Sequence, residues 1–212
     1  MSIRVVRKRA DAYQHGDLRR ALVQAGLKLL DEKGVEGLSL RAAAELAGVS
    51  HAAPYRHFRN KDALVSAIAE EGFRLFTAAM RQEIDASEDR GLFARMVASG
   101  HGYVTFATRH PAYFRTIFGQ PIWREGGVGW ESLRAAGEEA YGVLRGLVVE
   151  GVESGALRPG NPDQIALAAW SLIHGFSMLV IEGRLEPMGI GPASLRGVTE
   201  MLMRSLERGL AP

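Results

Sequence analysis

The stretch that decides the fold runs from Ser39 to Phe58 and reads SLRAAAELAGVSHAAPYRHF. Small and apolar residues recur at helical spacing in its first half, which predicts a short helix that a second helix can cross closely. Ser39 and Ser50 each precede a helical pattern, where a side-chain oxygen accepts a hydrogen bond from the first turn. Gly48 separates the halves, at a point where a left-handed backbone suits glycine. The stretch therefore predicts a helix-turn-helix.

The second half of this stretch carries side chains that suit a DNA groove. A helix-turn-helix places its second helix against base edges in the major groove. The residues of this half either donate hydrogen bonds or have little bulk: His51, Ala52, Tyr55, Arg56 and His57. We therefore interpret the motif as a reader of double-stranded DNA.

Charge is distributed unevenly along the chain. Residues 1–65 hold 12 Lys and Arg against 7 Asp and Glu, whereas residues 66–212 hold 14 against 17. A basic head on an acidic body fits contact with nucleic acid at one end, because phosphate neutralisation drives the sequence-independent part of such binding. The charge alone is equally consistent with a merely solvating surface. The helix-turn-helix favours the first interpretation.

Length and composition bound the remaining possibilities. With 212 residues, 47% of them hydrophobic, the chain can form a helical body with a small head. It contains no cysteine, which excludes disulfides, thiol nucleophiles and cysteine-ligated zinc, and we expect no metal or cofactor. No stretch was expected to approach the ~18 to 20 apolar residues of a membrane span, so a soluble, cytoplasmic protein is predicted.

Periodicity predicts helices throughout, about nine in total, and no strands. Residues 1–14 form a basic arm that fits either a minor groove or a solubilising tail. A first helix is expected from Asp17 to about Lys33, stopped by Gly34. Asn60 caps a long helix that follows the motif. The remaining helices are expected over about 61–84, 92–108, 112–118, 130–155, 162–182 and 193–208. The predicted class is all-α.

Residues from Asp17 to about Phe76 resemble the N-terminal domain of the TetR/AcrR family of bacterial transcriptional regulators. The resemblance rests on two glycines after the first helix and three short blocks: Gly34 and Gly37, Ala47 to Ser50, Tyr55 to Phe58, and Lys61 to Leu64. Two positions depart from the family pattern. Ala43 replaces a larger aliphatic residue, and Pro54 replaces leucine or a similar residue. Pro54 predicts a shortened or 3₁₀-like start to the second helix.

The resemblance implies roles for individual residues. Tyr55 and Lys61 would bind phosphates, and Ser39 and Arg41 would add backbone contacts. The groove-facing or groove-flanking set would be His51, Ala52, Arg56 and His57. The DNA-binding domain would span 15–76, with the motif over about 39–58. Each residue also has a structural interpretation, such as helix capping by Ser39.

The second half of the chain resembles a TetR-type C-terminal domain marked by a Trp, His, Gly pattern, here Trp170, His174 and Gly175. This implies an effector-binding and dimerisation domain over 77–212, with a homodimer formed by the last two long helices. We predict an apolar or amphipathic small-molecule effector bound by a subset of aromatic and polar residues: Tyr103, Phe106, Phe118, Trp123, Trp170 and His174. The same residues are also typical of a packed core, and His174 of a hydrogen-bonded core histidine.

Two other classes of protein compete with a regulator. An enzyme is not expected, because the sequence contains no dinucleotide-binding loop, P-loop, zinc-protease motif or nucleophile elbow. A helical protein-interaction module that ignores DNA remains the alternative to a regulator. Salt-dependent DNA binding by the basic head separates the two. The regulator is expected to be a ligand-released repressor that acts as a homodimer on a palindromic operator.

Overall fold

A computed structural model describes residues 15–119 and 129–210 of the chain. Within those ranges the secondary structure is helical, with eight α-helices and three 3₁₀ segments and no strand. The all-α prediction is confirmed, and the helix number is close to the nine expected. The chain divides into two compact units, one ending at Ile68 and one beginning at Ala69. The basic arm expected over residues 1–14 lies outside the described residues.

The first unit contains α1 (His15–Gly37), α2 (Leu40–Leu46), the 3₁₀ segment Pro54–Arg56 and the start of α3 (Lys61–Ala86). Its core is built on close helix contacts. Ala43 and Ala44 are fully buried, and their small side chains let α2 pack directly on α1. A Cβ on Gly26 of α1 would lie 2.8 Å from Ile68 Cδ1 of α3, so this crossing also depends on a small residue.

Helix α1 was predicted to end at Gly34. The backbone angles break there as predicted, but helical hydrogen bonds continue beyond this residue. Gly34 has φ 65° and ψ −172°, which breaks the helix at the expected residue. The helical hydrogen-bond pattern nevertheless resumes and continues to Gly37. The helix also begins at His15, two residues before the expected start at Asp17. Terminal turns of this kind depend on tertiary contacts more than on local signals.

The second unit is a helical bundle with α4 (Leu92–Arg109) at its centre. The other elements are the rest of α3 from Ala69, α5 (Pro111–Gly119), α6 (Trp130–Ser154), α7 (Pro162–Ile181) and α8 (Leu195–Leu210), with short 3₁₀ segments at Glu186–Met188 and Pro192–Ser194. Helix α4 packs against α5, α6, α7 and α8. Met96, Val148, Leu157 and Ala166 form a buried apolar cluster that joins three of these helices.

Helix α7 corrects one expectation from the sequence. An 18-residue window of α7 has a mean hydropathy of 1.6, so by length and composition this helix reaches what a membrane span requires. Asp163 is its only carboxylate, and it carries no Lys or Arg. Core helices of soluble proteins pass the same test, and α7 packs against α4, α6 and α8. Only one third of that window is buried, so much of an apolar helix faces outward.

Candidate nucleic-acid interface and ligand cavity

The first half of the helix-turn-helix forms as predicted. The Ser39 side chain accepts a hydrogen bond from the Ala42 N–H at 3.0 Å and caps α2. Gly48 adopts φ +69°, the left-handed conformation expected where α2 ends. The Val49 N–H then bonds the Ala44 carbonyl at 3.0 Å, which closes the turn. These local signals direct the chain away from α2 at a fixed angle.

The second half is not the α-helix that the sequence predicts. Residues 50–53 form a turn, and Pro54–Arg56 form a single 3₁₀ segment. Pro54 has no N–H to bond the Ser50 carbonyl, so the hydrogen bond that would begin an α-helical turn is missing. The 3₁₀-like start expected from Pro54 therefore extends over the whole element. Ser50 was wrongly predicted as a side-chain cap, because Ala53 holds that position without a side-chain hydrogen bond.

The structure leaves most of the predicted DNA-binding side chains accessible. Tyr55 is 62% exposed. The other exposed members of the set are Ser39, Arg41, His51, Ala52 and Arg56, while His57 and Lys61 are half-buried. Phe58, directly after this element, is 3% exposed and packs under the Arg19 guanidinium at 5.6 Å. Phe58 thus anchors an element whose polar and aromatic side chains remain available.

Lys61 has a partner that the sequence did not reveal. Its Nζ donates a hydrogen bond to the Val35 carbonyl, near the end of α1. Lys61 begins α3, where Asn60 Oδ1 accepts from the Ala63 N–H at 2.9 Å and caps the helix as predicted. An ammonium group has three N–H donors, so two remain for a phosphate oxygen. Lys61 therefore also connects the start of α3 to the last turn of α1.

The second unit contains a partly open cavity of about 270 Å³, which we call the aromatic cavity. Six of its lining side chains are aromatic: Phe73, Phe76, Tyr103, Phe118, Tyr141 and Trp170. Three methionines add adaptable thioethers: Met80, Met96 and Met203. Small residues on α4, α6 and α7 leave the space open, among them Gly100, Ala140 and Ala169. The described lining residues include no charged side chain.

A hydrogen-bonded triad lies in the wall of the aromatic cavity. The Trp170 Nε1–H donates to Tyr103 Oη at 3.1 Å, and Tyr103 Oη lies 2.8 Å from His174 Nδ1. Burial raises the pKa of Tyr103 above its ordinary value and lowers the pKa of His174. The phenol therefore keeps its proton and donates a hydrogen bond to Nδ1 of a neutral imidazole. The triad fixes the orientation of three helical side chains while using their polar atoms internally.

The six residues predicted to bind a ligand fall into four groups. Tyr103, Phe118 and Trp170 line the aromatic cavity, and His174 stands behind Tyr103. Phe106 is 1% exposed and packs on Phe76 at 5.2 Å without lining the space. Trp123 lies outside the described residues. Sequence reasoning missed several lining residues, including Met96, Ser99 and Met203, because helical periodicity marks them only as core.

Comparisons with known proteins agree with this arrangement. The family model for "Bacterial regulatory proteins, tetR family" matches residues 22–68, and the model "Tetracyclin repressor-like, C-terminal domain" matches residues 96–206. The chain belongs to the TetR family. It is therefore a DNA-binding transcriptional regulator, as the sequence predicted. The Trp, His, Gly pattern of the second half lies inside the matched C-terminal region.

Individual relatives extend the TetR-family assignment over the chain. The nucleoid occlusion factor SlmA of Marinobacter nauticus is 25% identical over 79% of this chain and 82% of its own length. The class C tetracycline repressor of Escherichia coli is 48% identical over 24% of each protein. A solved structure of a Rhodococcus sp. RHA1 protein of unknown function is 34% identical, with a TM-score of 0.80 over 95% of this chain and 100% of that one.

Membership has coarse consequences for partners and chemistry. TetR-family regulators bind operator DNA, act as dimers and in general are not enzymes. Among the described residues of this chain, no group of three or more His, Asp or Glu side chains could hold a metal ion.

The triad predicts that acid destabilises this TetR-family regulator. In an unfolded chain a histidine titrates near about 6.5, whereas burial lowers the pKa of His174 in the folded state. The unfolded state then binds more protons below about pH 6.5, so the free energy of unfolding falls as the pH drops through that value. Burial and Arg196 lower the pKa of His101 as well, in the same direction.

Urea unfolding at about pH 7.5 and about pH 5.5 measures the effect. His174→Asn is expected to lose less stability over this interval than the parent protein. The exposed His51 offers a matched control, since His51→Asn should retain the parent's pH dependence. An equal fall in the free energy of unfolding in all three proteins would show that His174 does not contribute to the loss of stability in acid.

Proposed function

We propose that this chain is a cytoplasmic, ligand-released repressor that binds a palindromic operator as a homodimer. The observation that carries the proposal is the accessible set of side chains around Tyr55, held on a buried anchor at Phe58. A cysteine-free chain with a basic N-terminal third is consistent with a protein that meets DNA in the cytoplasm. The aromatic cavity supports control by a small molecule.

The proposed DNA contacts are of two kinds: contacts to phosphates, which position the protein on the duplex, and contacts to base edges, which recognise the sequence. Tyr55 and Lys61 bind phosphates and set the register on the duplex, and Ser39 and Arg41 add backbone contacts. The side chains that face or flank the major groove are His51, Ala52, Arg56 and His57. The exposure of the other side chains supports these roles. His57 and Lys61 are each half-buried.

The proposed dimer forms through the outward face of α7 and α8. Leu167 and Leu179 of α7 are 52% and 46% exposed, and Met201 of α8 is 53% exposed. Gly175 and Gly197 lie on the same helices with open space where a Cβ would stand, so a partner helix can approach the backbone closely. Exposed apolar side chains grouped on two adjacent helices favour a protein interface over a solvated surface. We call this set the α7–α8 face.

Ligand release follows if the dimer has two arrangements. Recognition elements about 34–36 Å apart enter successive major grooves on one side of the duplex. An effector that binds the other arrangement more tightly releases DNA, and the coupling cannot exceed that difference in affinity. The same coupling requires DNA to weaken effector binding by the same factor.

Titration of the purified protein with DNA from upstream of its own gene tests the function. We expect binding that weakens steeply with salt and exceeds binding to a scrambled duplex of equal length. A protein that ignores both duplexes at low ionic strength would overturn the proposal in favour of a helical protein-interaction module.

Lys61→Ala is expected to weaken operator and scrambled DNA by similar factors. Loss of one phosphate contact lowers the salt slope by about one unit for each subunit bound. Affinity measured over a range of salt concentrations gives this slope directly. Lys28→Ala is a suitable control, because Lys28 is exposed on α1 and pairs with Glu32 at 3.8 Å. A salt slope unchanged by Lys61→Ala would show that Lys61 does not contact DNA and has only the structural role of its hydrogen bond to the Val35 carbonyl.

A further inference from the structure

The aromatic cavity presents its occupant with ring edges and faces. Phe76 stands perpendicular to Tyr103 at 4.7 Å between ring centroids and perpendicular to Phe118 at 5.8 Å. Tyr141 and Trp170 meet at 6.0 Å with their planes inclined by 62°. Aromatic pairs favour such edge-to-face and offset contacts over separations of about 4.5–7 Å. A flat aromatic guest therefore continues a packing pattern that the wall already uses.

The volume of the cavity limits the size of that guest. An apolar cavity of about 150 Å³ binds benzene, and the aromatic cavity measures about 270 Å³. The space is therefore about twice what one aromatic ring occupies. Met96 and Met203 line it and can adjust to the outline of a guest, because thioether side chains are flexible and polarisable.

The polar atoms of the wall exclude a charged guest. The Tyr103 hydroxyl and the Trp170 N–H already form hydrogen bonds within the triad. The described lining contains no cation to pair with an anion. Burying an unpaired carboxylate or ammonium group is strongly unfavourable. An ionised ligand finds no charged group among the described lining residues to replace the water that it would lose.

Ser99 supplies a hydroxyl of the described lining that lies outside the triad, and it is more deeply buried than Tyr141, which supplies another. It lies on α4, is 4% exposed and lines the aromatic cavity. Its hydroxyl makes no hydrogen bond to another described residue, unlike the Thr108 and Thr116 hydroxyls, which bond helix carbonyls. A hydroxyl at the cavity wall without a protein partner favours a ligand that offers one.

We infer that the effector is an uncharged aromatic molecule of about two fused rings, with a single hydrogen-bonding group that meets the Ser99 hydroxyl. This inference rests on the proposed function, since it names the class of molecule that the aromatic cavity takes. It assigns Ser99 a role in selecting the ligand.

Two probes of nearly equal shape test the charge requirement. 1-Naphthalenemethanol is neutral, whereas 1-naphthoate carries a carboxylate at neutral pH. Calorimetric titration of the full-length protein is expected to show at least about 100-fold tighter binding of the alcohol. n-Decanol, of comparable volume but without rings, is expected to bind more weakly than the naphthalene alcohol. Tighter binding of naphthoate or of decanol would overturn the inference.

Variants test the site itself. Ser99→Ala is expected to weaken the naphthalene alcohol about fivefold and to leave plain naphthalene unchanged. Ser132→Ala is the control, because Ser132 is exposed at the start of α6. Ala140→Leu fills the cavity and is expected to abolish binding of both probes. If Ala140→Leu fails to fold, the binding of naphthalene and its alcohol to Ser99→Ala still tests the site. Equal loss of naphthalene and its alcohol in Ser99→Ala would overturn the role of Ser99.

Operator release, measured separately, distinguishes failure of this inference from failure of the proposed function. If the neutral aromatic probe binds as expected but leaves operator DNA bound, the ligand class is supported and ligand release fails. If an anionic or aliphatic molecule releases DNA while the aromatic alcohol does not bind, ligand release is supported and the inference fails.

Discussion

Leu167→Glu is expected to leave the protein monomeric and to lower its affinity for operator DNA at least about 100-fold, a loss of about 2.7 kcal/mol. Leu167 is 52% exposed on α7 and belongs to the proposed α7–α8 face. In a two-fold dimer each substitution occurs twice in one interface, so two carboxylates are buried without partners. A monomer engages one half-site and loses half of the phosphate contacts.

Sedimentation and operator titration measure the two parts of this prediction. Ala135→Glu is the matched control, because Ala135 is exposed on α6 and the substitution adds the same charge outside the α7–α8 face. The control is expected to remain dimeric and to bind DNA nearly as the parent does. A dimeric Leu167→Glu with parental affinity would assign the interface to another surface.

Gly102→Ala is expected to destabilise the second unit by about 3 kcal/mol or more, although alanine favours helices. A Cβ on Gly102 would lie 2.5 Å from the Ala79 carbonyl oxygen and 2.5 Å from Met80 Cα. Both atoms are backbone of α3, so no side chain can rotate to relieve the contact. Helices α3 and α4 would have to separate, which opens the core around Phe106.

Gly142→Ala is expected to have the opposite effect on stability, measured in the same way. Gly142 lies in α6 with open space where a Cβ would stand. Alanine there is expected to stabilise the protein by about 0.5–1 kcal/mol, because glycine loses more backbone freedom on folding. Urea unfolding compares the two variants with the parent. A Gly102→Ala protein as stable as Gly142→Ala would show that the helix crossing is not tight.

The parts of the fold that the sequence predicted well depend on short-range chemistry. Ser39 and Asn60 cap helices through a side-chain oxygen that bonds an N–H three residues later, so the signal and its partner are neighbours in sequence. Gly48 and Gly34 have positive φ, a conformation that glycine adopts without steric cost. Such signals can be identified in a single chain.

The parts that the sequence did not predict depend on contacts between distant residues. Phe106 and Ser99 lie on one helix, and only the packing of the helices around it decides which of them faces the aromatic cavity. The bond from Lys61 to the Val35 carbonyl joins residues 26 positions apart. Pro54 was correctly identified as a disturbance, but how far a missing N–H shortens an element depends on the hydrogen bonds that replace it.

The 3₁₀ geometry at Pro54–Arg56 also changes how this regulator's operator can be deduced. Side chains three residues apart stand in line in a 3₁₀ turn, whereas an α-helix offsets them around 3.6 residues per turn. Only Pro54–Arg56 lie in the 3₁₀ segment, and residues 50–53 form a turn. His51, Ala52 and Tyr55 therefore do not have the angular offsets that a continuous α-helix would give them. The base contacts proposed for these residues therefore cannot be aligned position by position with those of an α-helical recognition element, and selection from random duplexes is the direct way to find the cognate sites.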